Sequence, residues 1–234
     1  VYSERQSSLS GATLWAVSGG GHSTVVPDGC IDIIWMQGEL LAIGPMTRPI
    51  TTPALSAPAV GLRFGPGIAP QLLRIGAGEL TDTRVPLDNI LPSPVVLEST
   101  DRLNGSSLVG ATGTELETLV HTAQGSLRRT PTRRDESAHM LELVAQGMPV
   151  RSIAAELHLS ERQLHRRSID AFGYGLRTLG RILRFNTAAR MLSAGNTVAS
   201  VATAAGYADQ PHFTREYFEF AGTTPGKYRS LPGS

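Results

Sequence analysis

At 234 residues, with 41% apolar residues and no low-complexity tract, the chain is long enough for two domains of roughly a hundred residues each. No apolar run reaches the roughly 18–20 residues of a membrane span, the opening Val1-Tyr2-Ser3-Glu4-Arg5-Gln6 lacks a signal-peptide core, and the single cysteine, Cys30, excludes an intrachain disulfide and a cysteine-rich zinc site. The net charge of +1 hides an asymmetry: residues 1–126 hold 6 Lys/Arg and 11 Asp/Glu, whereas residues 127–234 hold 15 and 9, so the C-terminal half is the one suited to a polyanion.

In chain order, the first elements read as short strands. Thr13–Val17, Ser23–Val26, Ile31–Met36, Leu40–Ile43 and Val60–Phe64 are apolar or β-branched runs, separated by Gly19-Gly20-Gly21, Pro27-Asp28-Gly29, Gln37-Gly38 and a proline-rich stretch from Pro45 to Pro58. From Pro66 the pattern turns helical, with Ile68, Leu72, Leu73 and Ile75 on one face and later Leu116, Leu119 and Val120 on another. A small β-barrel or sandwich followed by a few helices is expected over residues 1–126. Leu127 to Arg134 is basic and broken by Pro131, and reads as a linker between that domain and residues 135–234.

Beyond Asp135 the pattern is nearly all helix and contains a repeat. Val150-x-Ser152-Ile153-Ala154-x-x-Leu157-His158-Leu159 recurs 48 residues later as Val198-x-Ser200-Val201-Ala202-x-x-Ala205-Gly206-Tyr207. Each copy opens with a two-turn amphipathic helix centred on a small residue, Ala154 or Ala202, which lets a second helix cross closely. His158 or Gly206 then stands where a tight turn needs positive φ. Ser160 and Asp209 sit at N-cap positions ahead of helices over Glu161–Phe172 and Gln210–Phe220. Two helix-turn-helix units joined by a helix over Leu176–Leu192 are therefore expected.

The outward residues of the two second helices are the candidate DNA contacts: Ser160, Arg162, Gln163, His165 and Arg166 in the first, and Gln210, His212, Thr214 and Arg215 in the second. Arg bonds guanine through O6 and N7, and Gln bonds adenine in the same bidentate way. A connecting helix of some 16 residues, roughly 24 Å long, suits two recognition helices entering successive major grooves.

With these motifs in place, the chain resembles the AraC/XylS family of bacterial transcriptional regulators over about residues 136–231. The resemblance is carried by Val201-Ala202-x-x-x-Gly206-Tyr207-x-Asp209-x-x-x-Phe213-x-Arg215-x-Tyr217-Phe218 and by Gly222-x-Thr224-Pro225-x-x-Tyr228-Arg229. By position it implies base reading by Arg162, His165 and Arg166 and by Gln210, Pro211 and Arg215. Pro211 has no side-chain donor. Ser168 departs from the family's usual Phe, and Tyr174-Gly175-Leu176 departs from its favoured Ser-Pro pair. Pro27-Asp28-Gly29-Cys30-Ile31-Asp32-Ile33-Ile34-Trp35 and Gly61-x-Arg63-Phe64-x-Pro66-Gly67 resemble a domain of an actinobacterial-type subgroup. That likeness implies a cupin-like barrel that binds an effector, dimerises, or both.

The expected fold is thus α+β: a small barrel with helices, then an all-α double helix-turn-helix domain. The expected function is an effector-responsive DNA-binding regulator in the cytoplasm, with double-stranded DNA, a small-molecule effector, RNA polymerase (for an activator) and a second copy as partners. Cys30, Trp35 and Arg63 are the candidate effector contacts, Arg63 for a carboxylate; core packing is the competing reading for Cys30 and Trp35, and an ordinary surface or structural charge for Arg63. No cofactor or metal is expected, because His22 and His121 lack partners at ligand spacing. No catalytic motif is present, and Gly19-Gly20-Gly21-His22 reads as a turn. A barrel that sequesters a small molecule, with vestigial DNA binding, is the rival reading; Pro211 and Ser168 are the residues that support it.

Overall fold

A computed structural model describes residues 1–19, 21–105, 109–126 and 134–228. The predicted linker, apart from Arg134, lies outside the described residues.

The N-terminal domain is built on a six-stranded antiparallel sheet. Its strands are β1 (Tyr2–Gln6), β2 (Ala12–Val17), β4 (Ile31–Met36), β5 (Glu39–Ile43), β7 (Ala59–Phe64) and β8 (Arg84–Pro86), in the order β1-β2-β7-β4-β5-β8. A separate ribbon pairs β3 (Ser23–Val25) with β6 (Ile50–Thr52). All five predicted strands are present. The short β1, β6 and β8 carry no alternating apolar pattern; they join their neighbours through backbone pairing with a few side-chain contacts, such as Ser23 with Thr52 and Tyr2 on Trp15.

The sheet stays open, with β1 and β8 as its two edges, so the closed barrel of the sequence reading becomes an open sheet. One face is covered by helices instead. After α1 (Ala69–Leu73) and α2 (Ala77–Leu80) come α3 (Ser93–Asn104) and α4 (Val109–Ser126), which bury Leu103, Leu116, Leu119 and Val120 against Leu14, Ile33, Leu62 and Phe64. Within the sheet, Trp15 lies across from Gly61, and a β-carbon on Gly61 would sit 2.3 Å from the indole. That absence of a side chain is what lets the indole lie flat on β7.

The C-terminal domain is helical: α5 (Arg134–Ala145), α6 (Val150–Glu156), α7 (Glu161–Phe172), α8 (Leu176–Ser193), α9 (Val198–Ala204), α10 (Gln210–Ala221) and α11 (Pro225–Tyr228). Helices α7, α8 and α10 match the predicted segments to within one residue. Leu179, Ile182, Phe185 and Leu192 of α8 are buried in one core with Ile153 and Leu164 of the first unit and Val201, Phe213 and Tyr217 of the second. Both units therefore share α8 as a common spine. No helix among the described residues is long and apolar enough to cross a membrane.

Candidate nucleic-acid interface

The two units are assembled by the same local chemistry. In the first, His158 takes φ 53° and Gly206 takes φ 78° at the matching point of the second, so both turns use the left-handed region the repeat requires. Ser160 Oγ accepts from the Gln163 amide at 3.2 Å, and the Gln163 carboxamide oxygen accepts from the Ser160 amide at 2.9 Å. This capping box satisfies two otherwise orphaned donors at the start of α7. Asp209 caps α10 through the His212 amide at 2.6 Å, with Pro211 in the first turn, where a missing N–H costs nothing.

The candidate contacts fall as follows. Arg162, His165, Arg166, Gln210 and Arg215 are exposed, on faces opposite the buried Leu164 of α7 and Phe213 and Tyr217 of α10. Ser160 and Gln163 are also exposed, but their polar atoms are engaged in the capping box. His212 packs edge-on against Tyr207, and its Nε2 lies 4.0 Å from Glu216, so it is half-buried like Thr214.

One functional group escaped the sequence reading. Glu216 follows Arg215 yet points inward, 5% exposed, and accepts from Arg181 at 2.8 Å and from Arg184 at 2.8 and 3.0 Å. Arg181 stacks on Phe220 at 4.9 Å and Arg184 on Tyr207 at 4.7 Å. Burial alone would raise the Glu216 carboxyl; the two guanidinium groups outweigh it and hold the group below the usual glutamate range. The network bolts α10 to α8. Its signal in the sequence is an acid interrupting the Phe213–Tyr217–Phe220 face, opposite two arginines of α8.

Residues 153–230 match the model of a helix-turn-helix domain family, and residues 12–86 match a family of domains of unknown function. No curated protein sequence matches the chain. Among solved structures, ToxT from Vibrio cholerae shares the fold over 99% of this chain and 99% of its own, at 9% identity and a TM-score of 0.50. The C-terminal domain of AraT, a response regulator from Geobacillus stearothermophilus, aligns with 44% of this chain and 87% of its own, at 23% identity and a TM-score of 0.37. Residues 153–230 thus form a helix-turn-helix domain of the AraC/XylS type. A helix-turn-helix domain of this type supports a DNA-binding transcription regulator.

Two departures from the family pattern prove to be partners. Ser168, fully buried, donates its hydroxyl to the Tyr174 carbonyl at 2.6 Å, so the residue that replaces a Phe holds the turn that replaces Ser-Pro. Helix α7 is thus closed by a different but internally satisfied turn.

The three candidate effector residues do not form one site. Trp35 packs against the N-terminal core. Arg63 is held by Asp32 at 3.2 Å and Asp28 at 3.5 Å, above the Trp15 ring. Trp15 Nε1 also donates to Asp32 at 2.6 Å. The carboxylates that Arg63 meets are therefore the protein's own. Asp32 is 8% exposed, and burial raises its carboxyl despite Arg63. Cys30 shares the wall of an open cleft with Asp28 and Arg63, facing Leu176, Gly180 and Leu183 of α8; the cleft measures about 1450 Å³.

Burial pushes the Cys30 thiol well above its ordinary range, and Asp28 and Asp32 add to the effect. A thiolate sensor needs the opposite environment. In the native chain Cys30 should react with a thiol reagent about tenfold or more slower than in denaturant. Equal rates, followed by absorbance of the released leaving group, would restore the sensor reading.

Proposed function

We propose that the protein is a sequence-specific regulator that places α7 and α10 in successive major grooves and responds to a small-molecule effector through its N-terminal domain. Residues 1–126 act as the sensing and dimerising domain, residues 127–134 as the linker and residues 135–234 as the DNA-binding domain. The observation that carries the reading is the pair of equivalently capped helices, with Arg162, His165 and Arg166 on one exposed face and Gln210 and Arg215 on the other, fastened to one spine. Helix α8 has 18 residues, roughly 27 Å, a length compatible with two grooves one helical turn apart.

Phosphate contacts from the two helix starts set position, and the arginines read bases. The cleft between the Asp28–Arg63 wall and α8 is the place for an effector, since a molecule bound there touches both domains. RNA polymerase enters as a partner if the regulator activates, and dimerisation runs through residues 1–126. A protein with this partner works in the cytoplasm, where the DNA is. Ser168, one of two residues favouring sequestration, is accounted for by its bond to Tyr174, which supports the regulator reading over its rival.

Selection from a random-site DNA pool, followed by fluorescence anisotropy at two salt concentrations, tests the reading. Arg166→Ala and Arg215→Ala should each lower affinity for the selected site by about 1–3 kcal/mol, roughly 5- to 150-fold, and barely change binding to random DNA. Equal losses on both DNAs would mean phosphate contact without base reading. No enriched motif would sink the regulator reading.

A further inference from the structure

The turn Gly173-Tyr174-Gly175 between α7 and α8 is wedged into the N-terminal domain on one side and borders the reading face on the other. Gly173 closes α7 at φ 86°, and its carbonyl accepts from Thr81 Oγ1 at 2.9 Å. A β-carbon on Gly173 would lie 2.5 Å from that hydroxyl and 2.6 Å from Pro45 Cγ, so only glycine passes between them. Beside it, a β-carbon on Gly78 of α2 would lie 2.6 Å from Ile169 Cγ2, and one on Gly67 would lie 2.9 Å from the Phe172 ring. Three glycines thus bring the end of α7 into close contact with the other domain.

Tyr174 is 6% exposed, and its hydroxyl reaches the Asp28-Gly29 turn, 3.3 Å from where a Gly29 β-carbon would be. That hydroxyl has no hydrogen-bond partner among the described residues. On the far side, Gly175 leaves room for the His165 ring, whose Nδ1 lies 2.9 Å from the β-carbon position. One three-residue turn therefore touches Thr81, Pro45 and Gly29 of the N-terminal domain and a candidate base-reading side chain of α7.

We propose that Tyr174 is a positioning residue in a two-state docking contact, through which the N-terminal domain sets how the first recognition helix engages DNA. The close glycine-lined packing and the Thr81 bond favour docking. The orphaned hydroxyl opposes it, because a buried donor without a partner regains water on undocking. Opposed terms of this kind keep both states within reach of a modest bias from an effector. The inference rests on the DNA-binding reading and adds the route by which the other domain regulates it.

Two variants displace the contact in opposite senses without altering the exposed face of α7. Tyr174→Phe keeps the ring and removes the orphan, and should favour docking by about fivefold or more. Gly78→Ala suits a helix better than glycine but drives a methyl into Ile169, and should favour undocking. Hydrogen exchange across α2 and the α7–α8 turn reads docking, and anisotropy on the selected DNA site reads function, both on the full chain. Expected are slower exchange for Tyr174→Phe, faster exchange for Gly78→Ala, and affinities displaced from wild type in opposite directions, by about fivefold in total. Affinities that stay equal, or move the same way, while exchange is displaced would overturn the coupling. Unchanged exchange in both variants would overturn the two-state contact. A wild-type chain that selects no DNA would instead bring down the regulator reading and this proposal with it.

Discussion

Gly44→Ala should unfold the N-terminal domain at a temperature roughly 10 °C lower, a loss of about 3 kcal/mol or more. Gly44 follows β5, donates its amide to the Thr83 carbonyl at 3.1 Å, and lies directly under the end of α2. A β-carbon there would stand 1.6 Å from the Leu80 carbonyl oxygen and 2.3 Å from its carbon. These are backbone atoms, so no rotamer change relieves the overlap; α2 itself must lift, taking the buried Leu80 and Ala77 with it. Because α2 also meets Ile169, the variant should loosen interdomain docking as well. Gly110→Ala is the control, since an added β-carbon meets nothing within 4 Å, and it should be neutral or slightly stabilising in thermal unfolding. Equal melting temperatures for the two variants would show that the Gly44 contact carries no weight.

Glu216→Ala should destabilise the C-terminal domain by about 2 kcal/mol and weaken specific DNA binding with Arg215 still in place. A fully buried pair loses roughly 3–5 kcal/mol when one partner goes. Here the side chains of Arg181 and Arg184 are 35% and 29% exposed, and Arg181 keeps Glu219 as a partner, so both charges stay solvated or paired and the loss is smaller. DNA affinity falls because α10 loses its polar tie to α8, while Phe213, Tyr217 and Phe220 keep it folded. Glu216→Gln, which preserves shape and some hydrogen bonding, should recover part of both losses. The pH dependence has a definite sign: the folded carboxyl sits below its unfolded value, so the contribution is complete above the ordinary glutamate range. It disappears as pH falls through the lower folded value. Chemical denaturation at pH 7 and at pH 3.5 separates the cases. An Ala variant as stable as wild type at pH 7 would show that the network is ornamental.

Much of the DNA-binding half was legible because its determinants are local. The left-handed turns at His158 and Gly206, the caps at Ser160 and Asp209, and the limits of α7 and α10 each depend on residues within one or two turns of chain. The exposed arginines followed from helical period alone. The N-terminal half was readable only strand by strand. Its apolar or β-branched runs marked β2, β3, β4, β5 and β7, but β1, β6 and β8 have no such pattern and form because backbone groups on a neighbouring strand are waiting for them.

What the tertiary structure alone decided lies in pairings between distant residues. Arg63 looked available to a ligand until folding brought it against Asp32, 31 positions away in the sequence. Ile169 has the spacing of a residue buried among its own helices, yet it faces Gly78 of the other domain. Glu216 reads as one more surface acid until α8 supplies two guanidinium groups. Thr81 meets Gly173 across 92 residues. Hydrogen bonding within a turn of helix is encoded by neighbours, so the sequence by itself determined α7 and α10 and their caps. Whether the sheet closes or stays open, neutralisation of buried charge and docking of the two domains depend on which surfaces meet after collapse, and only the folded chain decides that.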